Sequence, residues 1–125
     1  MQVTVFQNLV RLCFLALVIL GIEFWTGHML ALIQLHMAIG AVLVVCLWIM
    51  AIIGLGARVP VGQAVVALVW GLVVIAFGMT HARLLPGSQH WIIQVLHLIV
   101  GMLAVGMSEG LARAINWRRK SGRPA

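Results

Sequence analysis

The chain has 125 residues, of which 64% are hydrophobic and 8% charged, and its mean hydropathy is +1.18. A soluble domain of this size has no interior large enough to hide that much apolar surface, so the composition excludes a soluble globular fold and points to an integral membrane protein. The formal net charge of +6 comes from eight Lys and Arg set against Glu23 and Glu109. Five of the eight (Arg113, Arg118, Arg119, Lys120 and Arg123) lie close to the C-terminus, which reads as a basic tail at a membrane surface and gives no sign of a nucleic-acid partner.

In chain order, residues 1–8 are mixed in character and form a short interfacial lead-in. The first apolar run covers about 9–25, with Arg11 in its first turn, able to snorkel outward, and Glu23, Phe24 and Trp25 at its far end. Residues 21–28 lack a small-x-small cleavage pattern, so this run is expected to be a retained span and not a signal peptide. Thr26-Gly27 makes a tight connection to a second run, about 28–54, which carries no charge but contains His36. Glycine and proline mark residues 54–62 as a loop. A third run covers about 63–80, followed by a connection through His81 and Arg83 to the turn signal Pro86-Gly87. The fourth run, about 89–114, contains His97, and residues 116–125 form the basic tail, frayed at its end.

Each run is long enough to cross roughly 30 Å of hydrocarbon as a helix, and lipid leaves the backbone no alternative to helical hydrogen bonding. Short connections make neighbouring spans antiparallel. The expected fold is all-α: an integral membrane four-helix up-down-up-down bundle, residues 1–115, with the tail appended. Arg11, Arg58, Arg113, Arg118, Arg119, Lys120 and Arg123 fall on one side and Arg83 alone on the other, which orients both termini to the cytoplasm of a plasma (inner) membrane. Cys13 and Cys46 lie inside apolar runs, in no CxxC pair, and read as small buried hydrophobes.

Two segments repeat. Leu35-His36-Met37-Ala38-Ile39-Gly40 and Leu96-His97-Leu98-Ile99-Val100-Gly101 both read Leu-His-x-x-x-Gly. A histidine inside a membrane span is expensive to bury and needs a partner. Each follows the start of its span by a similar interval, so both imidazoles are expected about 12 Å below the outer interface. On the fourth span His90, Gln94, His97, Gly101, Ala104 and Ser108 form a polar or small-residue stripe; on the second, Met29, Ile33, His36, Gly40 and Leu47 share a face. Gly40 and Gly101 leave space one turn inward of the histidines, which suits either a flat cofactor or close helix packing. Two neutral imidazoles are good axial ligands for a haem iron, and without nearby Cys, Asp or Glu they make a poor zinc or copper site. Arg83, His81, His90 and His28 lie on the outer side as candidate partners for haem propionates.

The segment Gly78-Met79-Thr80-His81-Ala82-Arg83-Leu84-Leu85-Pro86-Gly87, followed by His97 and Gly101, resembles one four-helix half of haem A synthase. In that family each half holds haem-facing histidines in its second and fourth helices. The likeness implies a bis-histidine haem b site at His36 and His97. This chain is half that length, has no outer-loop cysteine pair, and carries Leu32 and Ile33 where the family has a glutamate. The resemblance therefore implies haem binding rather than the family's haem-oxidising activity. The architecture is also similar to di-haem cytochrome b and succinate dehydrogenase anchor bundles.

Three functions follow as expectations. The first is a small membrane cytochrome b that passes electrons between haem and a quinone or a redox partner protein, or that handles haem within the membrane. The second is a small multidrug-resistance-type transporter using Glu23. The third is an accessory subunit of a larger respiratory or photosynthetic complex. Thirteen glycines suit helix-mediated assembly, as a homo-oligomer or within a larger membrane complex.

Overall fold

The protein is described here by a computed structural model covering residues 2–122. Four α-helices make up a bundle: α1 (Gln2–Trp25), α2 (Ile33–Gly56), α3 (Val61–Thr80) and α4 (His90–Ser121), with 3-10 turns at Leu30–Leu32 and His81–Arg83. There is no strand among the described residues. All four helices are long and apolar enough to cross a membrane.

The helices overrun the expected ends most at the start of α1 and the end of α4. Residues 2–8, expected as a lead-in, form the first turns of α1, because nothing in them breaks a helix and Val3 and Val10 bury completely. α4 continues through Asn116 and Lys120 to Ser121, so most of the expected tail is helical. No glycine or proline interrupts it, and Arg118, Arg119 and Lys120 in its last turn suit the negative end of the helix dipole. Arg123 lies outside the described residues. Conversely, α2 starts later than expected. Gly27 and Met29 adopt left-handed backbone angles, which leaves His28 in a loop.

Gly54 and Gly56, expected in a loop, complete α2 instead. An added Cβ on Gly54 would lie 3.5 Å from Leu111 and 3.7 Å from Val59, so this glycine brings α2, α4 and the loop together. The helix then ends in a Schellman motif. The N–H of Val59 donates to the Gly54 carbonyl at 2.9 Å and that of Arg58 to the Leu55 carbonyl at 3.1 Å. The left-handed position is held by Arg58, φ 59°, where glycine is the usual occupant. An L-residue there costs about 1 kcal/mol.

α2 packs against α1, α3 and α4, whereas α1 and α3 do not touch. α2 and α4 therefore form the short diagonal of the bundle. The core sits at one end of that diagonal, where Leu43, Leu47 and Met50 of α2 meet Leu111 and Ile115 of α4, with Val10, Ala64, Ala67, Ala104 and Ser108 around them. Small residues let the backbones approach there. Two indoles tie α3 in place: Trp48 Nε1 donates to the Leu68 carbonyl and Trp70 Nε1 to the Val100 carbonyl, each at 3.0 Å. Gly71 lies directly against the Trp48 ring, with no room for a side chain.

At the same end, Arg11 grips Glu109 with two hydrogen bonds, Nε to Oε1 at 2.6 Å and Nη2 to Oε2 at 2.9 Å. Gln7 Nε2 adds a third, to Oε2 at 2.6 Å. Arg11 thus reaches across to α4 and does not simply extend to the surface. At the other end of the bundle, Leu20 and Ile93 are the only buried side chains of the described residues.

Candidate functional site

That sparsely packed end holds the histidines. His36 lies in the second turn of α2 and His97 in the third turn of α4, on the two helices of the short diagonal. Their ring centroids are 6.1 Å apart and their planes inclined by 36°. Both rings are half-buried, and in each the Nδ1 atom is enclosed without a hydrogen-bond partner. A buried polar atom costs roughly 1–3 kcal/mol unless a water, a ligand or a protein group satisfies it.

The surroundings are aromatic. Phe24 of α1 lies 5.4 Å from His36, and Phe77 of α3 lies 5.9 Å from His97, nearly parallel to it. His81 stacks on His97 at 4.9 Å with an interplanar angle of 24°, and His90 follows at 6.4 Å from His81. Phe77 and His81 are four residues apart, so they stand on one side of the same helical stretch and present two parallel rings to His97. Gly78 lies between them in sequence, and an added Cβ there would sit 3.6 Å from Cε1 of His97, so α3 passes in direct contact with this ring.

The candidate site residues separate into two groups. His36, His97, His81 and His90 form one continuous file of rings. His81, expected on the outer side, lies directly against His97, where the 3-10 turn at His81–Arg83 meets α4. Its Nδ1 donates to the Gly78 carbonyl at 2.8 Å, and His90 Nδ1 donates to the Leu84 carbonyl at 3.1 Å. His28 stands apart from the file, exposed, with its Nδ1 2.9 Å from Thr26 Oγ1. Arg83 is exposed and has no ion pair among the described residues. Glu23 is half-buried near the end of α1 on this same side, with no side-chain hydrogen bond among the described residues.

The two glycines of the repeat differ. A Cβ on Gly40 would meet nothing within 4 Å, so the space inward of His36 is open. A Cβ on Gly101 would lie 3.5 Å from the Phe14 ring, so Gly101 seats α1 against α4. Phe24, Phe77 and Gly78 were not evident as site residues in the sequence. The signal available was the Phe77-x-x-x-His81 spacing.

Among the described residues no group of three or more His, Cys, Asp or Glu side chains is placed to hold a bare metal ion. His36 and His97 alone would supply two nitrogen donors to an ion, and its other ligands would have to come from elsewhere. The two ring centroids lie 6.1 Å apart, close enough for both imidazoles to border one small group. The unpartnered nitrogens and the open space beside Gly40 agree with that.

The fold and site define a class: an all-α four-helix bundle of candidate membrane spans with a file of four imidazoles at its thinly packed end. No protein-family model, curated protein or solved structure matches the chain.

Proposed function

We propose that this protein is a b-type haem protein of the membrane, in which His36 and His97 would hold one haem. The bundle crosses the bilayer up-down-up-down. Its basic end, with Arg11, Arg58, Arg113, Arg118, Arg119 and Lys120, faces the cytoplasm and its histidine end faces outward. The observation that carries the reading is the pair of facing imidazoles, each with a buried nitrogen that lacks a partner, in the half of the bundle that has almost no core.

When bound, haem b supplies one-electron redox chemistry at the iron. The chain's own residues do the rest. His36 and His97 are fixed on helices that touch, so the distance between them is set by backbone packing. Phe24 and Phe77 keep water from the imidazoles and hold their planes. Gly40 leaves space beside His36. Arg83 and His90 stand at the rim, where cationic or hydrogen-bonding groups meet carboxylates. Arg83 and His90 would border the group on the side where a quinone or a partner protein could exchange electrons with it, and the haem A synthase resemblance supports haem binding at these positions without requiring that family's reaction.

The test is an absorption spectrum of the protein purified after expression with haem supplied. The expected result is a Soret band with the low-spin signature of two nitrogen ligands. Either single substitution, His36→Ala or His97→Ala, weakens or converts the band, and the double substitution abolishes it. A colourless wild-type protein, or a band unchanged in the double variant, rejects the proposal.

A further inference from the structure

The opposite end of the molecule carries a separate feature. Between the loop after α2 and the last turns of α4 lies an open pocket of about 580 Å³, lined by Arg58, Arg118 and Arg119 together with Gly56, Ala57 and Gly122. Three arginines thus line one open pocket, with Ile53 and small residues making up the rest of its wall. Neither carboxylate of the chain neutralises them. Glu109 is occupied by Arg11 and Gln7, and Glu23 is near the histidines, at the end of α1.

Arg58 is a second and independent observation. It occupies the left-handed position of the Schellman motif, where glycine fits without strain. Strained backbone persists where the side chain it presents is needed, which makes the outlier a pointer to function. Val59, 3% exposed, is packed into the core immediately after it, so the strained turn is anchored and Arg58 has a fixed base. Arg118 is held from another direction, with its guanidinium 5.4 Å from the centre of the exposed Trp117 ring. α2 and α4 both end here, and helix C-termini repel anions. Three of their terminal carbonyls are already bound by the N–H groups of Val59, Arg58 and Gly122. Recognition of an anion therefore falls to the guanidinium forks, whose geometry matches the paired oxygens of a phosphate.

We propose that Arg58, Arg118 and Arg119 form a binding site for a phosphate group, carried by an anionic lipid headgroup or free in solution. Basic pockets between spans at the cytoplasmic surface recognise headgroups by this chemistry. The site is independent of the histidine cluster and stands or falls without it.

The experiment is native mass spectrometry of the full chain in detergent, with phosphatidylglycerol, phosphatidylcholine and inorganic phosphate as probes. The wild type is expected to retain phosphatidylglycerol about tenfold over phosphatidylcholine, from two or more arginine contacts. Arg58→Gln/Arg118→Gln removes this preference, while Lys120→Gln, outside the pocket, keeps it. Displacement of the lipid by millimolar inorganic phosphate identifies a soluble ion as the ligand; resistance to displacement identifies the headgroup. Arg58→Gly separates binding from folding, because it relieves the strained turn: the melting temperature holds or rises while the preference falls. Equal retention of the two lipids together with no phosphate binding overturns the proposal, as does a preference that Lys120→Gln removes as fully as the double substitution.

Discussion

Leu47, Met50, Leu111 and Ile115 share the end of the bundle that holds the Arg11–Glu109 pair, and none of them exposes any surface. At the end that holds His36 and His97, Leu20 and Ile93 alone are buried among the described residues. Hydrophobicity does not explain the contrast, since the same four apolar helices build both ends. Packing does. One end has Ala51, Ala64, Ala67 and Ala104 at its contacts, so that large side chains fill the gaps between close backbones. The other has six-membered and five-membered rings standing between the helices. Closely packed interiors are self-sufficient; the other end is built from spaced rings, two of them with an enclosed Nδ1 that has no partner among the described residues.

The largest effect expected from this contrast is in the core. Leu47→Ala or Leu111→Ala should destabilise by about 2–5 kcal/mol, whereas Leu98→Ala, 40% exposed at the histidine end, should change stability by less than about 0.5 kcal/mol. Reversible unfolding in mixed micelles measures both, and equal effects would erase the distinction between the ends. Next comes occupancy. Haem b added to apoprotein at a hundredfold excess over its dissociation constant should stabilise by about 2.7 kcal/mol, read as a rise in melting temperature that His36→Ala/His97→Ala abolishes. No rise would leave the histidine pair without this occupant. Gly71→Ala forces a methyl group into the Trp48 ring and should cost about 1–3 kcal/mol, with loss of the Trp48–Leu68 bond visible in tryptophan fluorescence. The smallest effect is the most discriminating. Gly40→Ala meets no neighbour and should stabilise the apoprotein by up to about 1 kcal/mol through helix propensity, while weakening haem binding. Stronger haem binding in Gly40→Ala would assign that space another role.

Much of the bundle can be read from the sequence, because a run of apolar residues of membrane length has few conformations open to it. The helix ends are less legible. Val3 and Val10 draw the first residues into α1 only because a core lies beside them, which the local composition does not reveal. Gly54 and Gly56 look like a loop and are a close contact and a helix end. The repeat puts His36 and His97 on the two helices that touch, but the equal spacing from the span starts does not hold, since α2 begins at Ile33, three residues before His36, and α4 at His90, seven before His97. The different surroundings of Gly40 and Gly101 do not follow from the repeat, since Phe14 belongs to another helix. The Arg11–Glu109 pair is hidden for the same reason: its members are 98 positions apart, and nothing near either one names the other.

The bond from His81 to the Gly78 carbonyl settles which tautomer that ring adopts. A carbonyl oxygen only accepts, so the hydrogen of the neutral ring sits on Nδ1 and the lone pair on Nε2. The bond also satisfies a carbonyl in the last turn of α3, where no further helical N–H follows. Nitrogen-15 chemical shifts of His81 should therefore report one tautomer in the neutral form, with the Nδ1 hydrogen protected from exchange.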